Sequence, residues 1–259
     1  MEQASPAILI KNLKKSYDEN EVLKGINLEV YPGQVIGYIG PNGAGKSTTV
    51  KILTGLLPEF EGEVEILGQN LREDTLQIKR HIGYVPEAAE MYEVLTPMEF
   101  LDFIGKLYEM KEKQIAKRAE RLLAFFDLAD NKDDRMDTFS KGMRQKVLLI
   151  SGLLHDPKII FLDEPLSGLD ANAVIKVKNI IDRLAQEGKT IFYCSHMMDV
   201  VEKVSNRILL INHGTIVADG SFDELRQSDD ESLERIFSNL TGNQKMEDNT
   251  DEFLESFED

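Results

Sequence analysis

Gly40-Pro41-Asn42-Gly43-Ala44-Gly45-Lys46-Ser47 has the form G-x-x-x-x-G-K-S, and it constrains the fold more tightly than any other stretch of the chain. The apolar run Val35–Ile39 precedes it, and Thr48, Val50, Ile52 and Leu53 continue from it at helical spacing. A strand that turns through glycines into a helix aims backbone N–H groups at phosphate oxygens. The helix N-terminus adds a dipole favourable to anions. Lys46 supplies a point charge for the outer phosphates, and the Ser47 hydroxyl is a ligand for Mg²⁺. Gly40, Pro41, Asn42, Gly43, Ala44, Gly45, Lys46, Ser47 and Thr48 are therefore candidate nucleotide-binding residues.

Three further runs read as strands buried on both faces: residues 82–85, 159–162 and 191–194, each short, apolar and rich in β-branched or aromatic side chains. Helical patterns lie between the buried runs. Val174, Val177, Ile180, Ile181 and Leu184 mark one helix face, with Gly188 as its stop. Ile26-Asn27-Leu28-Glu29-Val30 and residues 62–68 instead alternate apolar with polar, as strands with one wet face do. Thr96-Pro97-Met98-Glu99 is a capping box, and no strand pattern follows it before residue 158. The expectation is an α/β fold: a phosphate-loop core with a mainly parallel sheet, an N-terminal antiparallel β subdomain and an inserted helical subdomain over about 88–158.

The buried runs end on polar groups. Residues 159–162 lead into Asp163-Glu164, residues 82–85 lead through Pro86 to Glu87, and residues 191–194 lead into Ser195-His196. Ligands of parallel α/β sheets sit beyond the carboxyl ends of the strands, where the glycine loop also delivers its phosphates. Asp163 is placed to hold Mg²⁺, most simply through water. Glu164, one residue on, is the candidate general base for a hydrolytic water. His196 is a polar group that could touch the terminal phosphate or orient that water, although a lone histidine is more often structural.

The charge excludes one large class. Against 30 Lys+Arg stand 46 Asp+Glu, a net of −16, which argues against a partner held through nucleic-acid phosphates. Residues 228–259 alone carry 11 acidic and two basic side chains. The end of the chain, 242–259, has few large apolar groups and is expected to be a solvated acidic tail. The single Cys194 fits a reducing compartment. No apolar stretch approaches the roughly 18 residues of a membrane span, and the N-terminus does not read as a secretory leader.

Taken together these motifs resemble the ATP-binding subunits of ABC transporters, over about residues 7–241. Phe139-Ser140-Lys141-Gly142-Met143-Arg144-Gln145 is similar to the family signature. Residues 159–165, Ser167-Gly168-Leu169-Asp170 and Tyr193-Cys194-Ser195-His196 are similar to the second nucleotide motif, the dimer-contacting loop and the switch histidine. The resemblance implies a Mg²⁺-dependent ATPase that closes as a head-to-tail dimer around two ATP molecules. Ser140 and Gly142 would then serve the nucleotide of the opposite subunit, Tyr17 would stack on adenine, and His196 would be a catalytic or switch residue. It also implies a separate transmembrane permease subunit as partner and a peripheral position on the cytoplasmic face of the membrane. The dimer it implies is of identical chains or of two related ones.

Two positions depart from the family pattern. Lys141 stands where many members have glycine, and Glu87 where they usually have glutamine. Both variants resemble the exporter branch whose membrane partner is a separate polypeptide, and a carboxylate remains an acceptable Mg²⁺ ligand at position 87. Met91, Tyr92, Val94 and Leu95 are either a surface for those membrane helices or packing for the chain's own. The rival functions are a soluble ATPase of the same family working in repair, translation or cluster assembly, and a nucleotide-gated module with little turnover. The first usually brings tandem domains, coiled coils or basic patches, which this sequence lacks. The intact Asp163-Glu164 pair and His196 count against the second.

Overall fold

The computed structural model describes residues 5–87, 91–228 and 231–242. The chain opens with an antiparallel hairpin, β1 (Ile8–Tyr17) and β2 (Asn20–Val30), then β3 (Val35–Ile39) and α1 (Lys46–Leu53). Strands β4 (Glu61–Ile66) and β5 (Gln69–Asn70), helix α2 (Thr75–Lys79) and strand β6 (Ile82–Val85) follow. Helices α3 (Pro97–Leu107), α4 (Glu112–Phe125) and α5 (Lys141–Leu153) come next, with a 3₁₀ turn at Met136–Thr138. The chain then alternates: β7 (Ile159–Asp163), α6 (Ala171–Gln186), β8 (Thr190–Cys194), α7 (Met198–Val204). A closing hairpin, β9 (Arg207–Asn212) and β10 (Thr215–Gly220), precedes α8 (Phe222–Leu225) and α9 (Leu233–Thr241).

Two sheets result. One is antiparallel, in the order β2-β1-β4-β5. The other, in the order β10-β9-β3-β8-β7-β6, is parallel except for β10. The alternation read at residues 26–30 is present as burial: Ile26, Leu28 and Val30 are inside, Asn27 and Glu29 outside. Both faces of the parallel sheet are covered, which is why its strands read as continuous apolar runs. Ile160, Leu162, Ile191 and Tyr193 pack toward α4, α5 and α6. Ile159, Phe161, Phe192 and Cys194 pack on the opposite side, with the antiparallel sheet and α1. This is the expected α/β architecture, with sequence-distant strands β3, β7 and β8 side by side.

Between Val85 and Ile159 the described residues contain helices and turns but no strand. Thr96 starts α3 as expected: Glu99 N donates to Thr96 Oγ1 at 3.2 Å and Thr96 N donates to Glu99 Oε2 at 2.9 Å. Such a cap stabilises a helix by about 1 kcal/mol. Ser140 caps α5 by accepting from Met143 N at 3.2 Å. The expected acidic tail lies outside the described residues from Asn243 onward.

Candidate functional site

The β3–α1 connection forms the expected glycine loop. Gly43 and Gly45 take left-handed backbone angles, φ 79° and 111°, which a side chain would disfavour. Gly40 passes so close to the backbone carbonyl of Ile211 that a Cβ would collide with it. Below the loop, Thr49 Oγ1 donates to Gly45 O at 3.0 Å and Tyr38 OH donates to Thr49 Oγ1 at 3.1 Å, so the helix start is anchored to β3. No side chain caps α1. Its first N–H groups therefore face whatever the loop encloses. The Lys46 ammonium donates to Gly40 O at 2.5 Å and Pro41 O at 3.0 Å, folded back along the loop.

The strand ends converge on that loop. A cavity of about 360 Å³ is lined by Asn20, Val22, Asn42, Gly43, Gly45, Lys46, Ser47 and Thr48 on one side and by Glu87, Asp163, Glu164 and His196 on the other. Parallel pairing sets the acidic wall: Leu162 lies beside Tyr193 and Asp163 beside Cys194, while Val85 lies beside Leu162. Glu164 is fixed twice. Its N–H donates to Cys194 O at 2.9 Å, and its backbone sits at φ 46°, a left-handed value that a non-glycine residue holds only when its surroundings impose it. Its carboxylate accepts from Ser195 Oγ at 3.0 Å through Oε2, and Oε1 lies 3.4 Å from His196 Nε2.

Electrostatics follow from this crowding. Burial raises the Asp163 carboxyl above its ordinary value, Glu87 and Glu164 raise it further, and Lys46 opposes them. Burial lowers Lys46, against the pull of the same carboxylates. The site thus concentrates negative charge on one wall and holds a single ammonium on the other. Ser47, Glu87 and Asp163 offer only oxygen donors, a set that suits a hard, partly hydrated cation bridging to phosphate oxygens. Glu164 adds a further carboxylate to the same wall, a group chemically able to take a proton from a water.

Within the glycine loop, Gly40, Pro41 and Ala44 are not among the lining residues, and three candidates outside the loop stand apart as well. Tyr17 does not line the cavity: its ring is 45% exposed, with Lys15 Nζ 5.1 Å from the ring centroid. It pairs across the hairpin with Asn20, which does line it. Ser140 and Gly142 lie at the start of α5, outside the lining. They neighbour a second cavity of about 280 Å³, whose walls include Lys141, Arg144, Gln145 and Ser167, and Glu87 is common to both cavities. Ser195, Asn20 and Val22 are site residues that the sequence reading gave no role. Ser195 stood inside the quoted Tyr-Cys-Ser-His motif, but its bond to Glu164 depends on the β7–β8 register, which no local pattern displays.

The sequence matches the ABC transporter family over residues 23–167. It is 34% identical over 215 residues to the linearmycin resistance ATP-binding protein LnrL of Bacillus subtilis (strain 168), covering 83% of this chain and 69% of that protein. Among solved structures, an ATP-binding subunit of an ABC transporter superposes with a TM-score of 0.85 at 30% identity, over 90% of this chain and 99% of that one. A dimeric ATP-binding cassette in a post-hydrolysis state, bound to ADP and Pi, superposes with a TM-score of 0.76 at 27% identity, over 83% of this chain and 98% of that one.

Proposed function

The chain belongs to the ABC transporter family as one of its ATP-binding, ATP-hydrolysing subunits, and on that premise we propose that it powers an exporter whose membrane-spanning part is a separate permease. The observation that carries the reading is the convergence of the Lys46 loop with Glu87, Asp163, Glu164 and His196 on one cavity. The 42-43-45-48 wall binds the triphosphate through backbone N–H groups, and Lys46 leaves its loop carbonyls for the outer phosphates. Ser47, Asp163 and Glu87 would hold Mg²⁺, which supplies charge neutralisation for those phosphates. Glu164 accepts a proton from the attacking water, directed by Ser195 and faced by His196. Tyr17, one hairpin pair from Asn20, is within reach of a base that extends out of the cavity.

Ser140 and Gly142 point to a second copy or a related chain: they flank no triphosphate site of their own, yet start a capped helix. The solved relative that is dimeric with ADP and Pi supports such an assembly. No helix among the described residues is long and apolar enough to cross a membrane. In this reading the force passes to a separate membrane chain, with this subunit at the cytoplasmic face of the membrane. Met91 and Leu95 pack against the core, whereas Tyr92 and Val94 are exposed. The Tyr92 ring meets Phe103 edge-on at 5.7 Å, and Phe103 and Leu107, four residues apart on α3, expose apolar surface beside it. This is the surface on which a permease would dock. Export, rather than import, is supported by the Ser-Lys-Gly-Met-Arg-Gln signature, by Glu87 and by the resistance protein LnrL. Affinity purification from detergent-solubilised membranes tests the reading. A stoichiometric polytopic protein should accompany the wild-type chain and be lost from Tyr92→Glu/Leu107→Glu. Recovery of the wild-type chain without any membrane protein would refute the permease assignment.

A further inference from the structure

Helix α5 presents Ser140 and Gly142 at its tip, and the same first two turns grip the segment that follows Glu164. Lys141 Nζ donates to Ser167 Oγ at 3.1 Å. Gln145, 6% exposed, donates through Nε2 to Pro165 O at 3.2 Å. Lys146 Nζ, largely buried, lies 3.2 Å from Asp170 Oδ2. A Cβ on Gly142 would lie only 2.6 Å from Gly168 O, so the two backbones pack too closely there for a side chain. Positions 141, 142, 145 and 146 form one helical face. Positions 165, 167, 168 and 170 form one short loop, and it begins at the residue after the candidate base. The loop is clamped from the buried side by Gln145 and from the exposed side by Lys141, whose stem runs over Gly168.

We propose that Lys141 is a positioning residue: by holding Ser167 it ties the tip of α5 to the loop that directly follows Glu164, so that a second copy's nucleotide, meeting Ser140 and Gly142, readies Glu164 of this chain. The inference rests on the dimeric reading above and adds to it a direction of coupling between the two sites. Packed backbone and charge-assisted hydrogen bonds transmit a displacement of this kind because the contact is either kept or broken. A residue with no side-chain donor at position 141 would leave Ser167 without this bond, so Lys141 adds a tie to the contact between the Gly142 and Gly168 backbones.

The test compares wild type with Lys141→Met, Lys141→Arg, Ser167→Ala and the Lys141→Met/Ser167→Ala double variant. Readouts are binding of a fluorescent ATP analogue to the dilute chain and Mg²⁺-ATP hydrolysis against ATP concentration. Lys141 and Ser167 do not touch the nucleotide cavity, so analogue affinity should stay within about twofold of wild type. In Lys141→Met and Ser167→Ala alike, kcat should fall about tenfold and the Hill coefficient should drop from about 2 toward about 1. The double variant should lose no more than either single one, because one bond is removed in each case. Lys141→Arg should restore at least half of the wild-type kcat. Wild-type cooperativity retained in both single variants would overturn the proposal. So would a defect in Lys141→Met that Ser167→Ala does not share, since the charge would then act on phosphate directly. A wild-type chain that binds ATP and hydrolyses it without cooperativity would also overturn it, leaving the ATPase reading intact. A wild-type chain that binds no ATP would overturn the reading on which both rest.

Discussion

Ser195 donates its hydroxyl to Glu164 Oε2 at 3.0 Å, so the carboxylate that follows β7 is aimed by the residue that follows β8. The same hydroxyl oxygen accepts from Met197 N at 3.2 Å, which fixes the rotamer of the donor as well. A general base needs its lone pair on the water it activates, and a misplacement of about 1 Å can cost up to about 100-fold. Ser195→Ala should lower kcat by about tenfold and leave ATP affinity within about twofold, because Ser195 does not line the phosphate wall. Steady-state hydrolysis combined with equilibrium nucleotide binding separates the two. Equal loss in both would assign Ser195 to the shape of the cavity instead.

Glu164→Gln preserves the side chain's size and its place beside Ser195 and His196 while removing the basic oxygen. Hydrolysis should fall by about 100-fold or more, with binding retained. The expected product is a long-lived ATP-bound dimer, detectable as a doubling of mass on a sizing column with ATP and its absence with ADP. Near-normal turnover in this variant would remove Glu164 from the role of base.

Glu87 and Asp163 share the cavity wall opposite Lys46, and after burial itself the Glu87 charge is what most raises the Asp163 carboxyl. Glu87→Gln should leave measurable hydrolysis but shift the Mg²⁺ concentration for half-maximal rate upward by about tenfold. Asp163 partly offsets the loss, since without the Glu87 charge it ionises more readily. A Mg²⁺ titration at fixed ATP reads the effect directly, and an unchanged curve would place Glu87 outside the metal shell.

The legible parts of this molecule are those written in contiguous residues. The strands β3, β6, β7 and β8 stand out because burial on both faces demands unbroken apolar runs, and the glycine loop stands out because phosphate can be approached so closely only by backbone. β1 is long but hidden. Its alternation breaks at register shifts on either side of Leu13, and Asn12 takes a left-handed φ of 51°, so no period of two survives along Ile8–Tyr17. β9 carries an apolar run, Ile208-Leu209-Leu210-Ile211, but leads into a hairpin turn and not to a polar ligand, so strand-end chemistry does not point to it. The bond from Ser195 to Glu164 and the grip of α5 on residues 165–170 join segments that meet only in the folded sheet. The two fates of the 91–95 segment, Met91 and Leu95 inward and Tyr92 and Val94 outward, likewise depend on α3 packing, since all four are equally apolar in sequence.

His155 connects stability to pH. Its ring stacks on Tyr108, centroids 3.6 Å apart and 10° from parallel, and Nε2 lies 2.9 Å from Ile82 O, linking the end of α5 to α3 and β6. With Nε2 donating to that carbonyl, Nδ1 is the bare nitrogen, and it is buried without a partner. Burial pushes the imidazole down from 6.5 to about 4; Lys189 and Arg118 push the same way, and the Ile82 carbonyl and Asp156 oppose. The unfolded chain takes up its proton near pH 6.5, while the folded chain refuses it until about pH 4. The contribution to stability is therefore complete above 6.5 and is lost as the pH falls through the interval between the two values. Between about pH 7.5 and about pH 5 this one residue should remove about 2 kcal/mol of unfolding free energy. His155→Phe keeps the stacked ring and cannot titrate. Urea denaturation at the two pH values should show that difference shrinking by about 2 kcal/mol relative to wild type. An equal pH dependence in both proteins would mean that His155 takes its proton as readily in the fold as out of it.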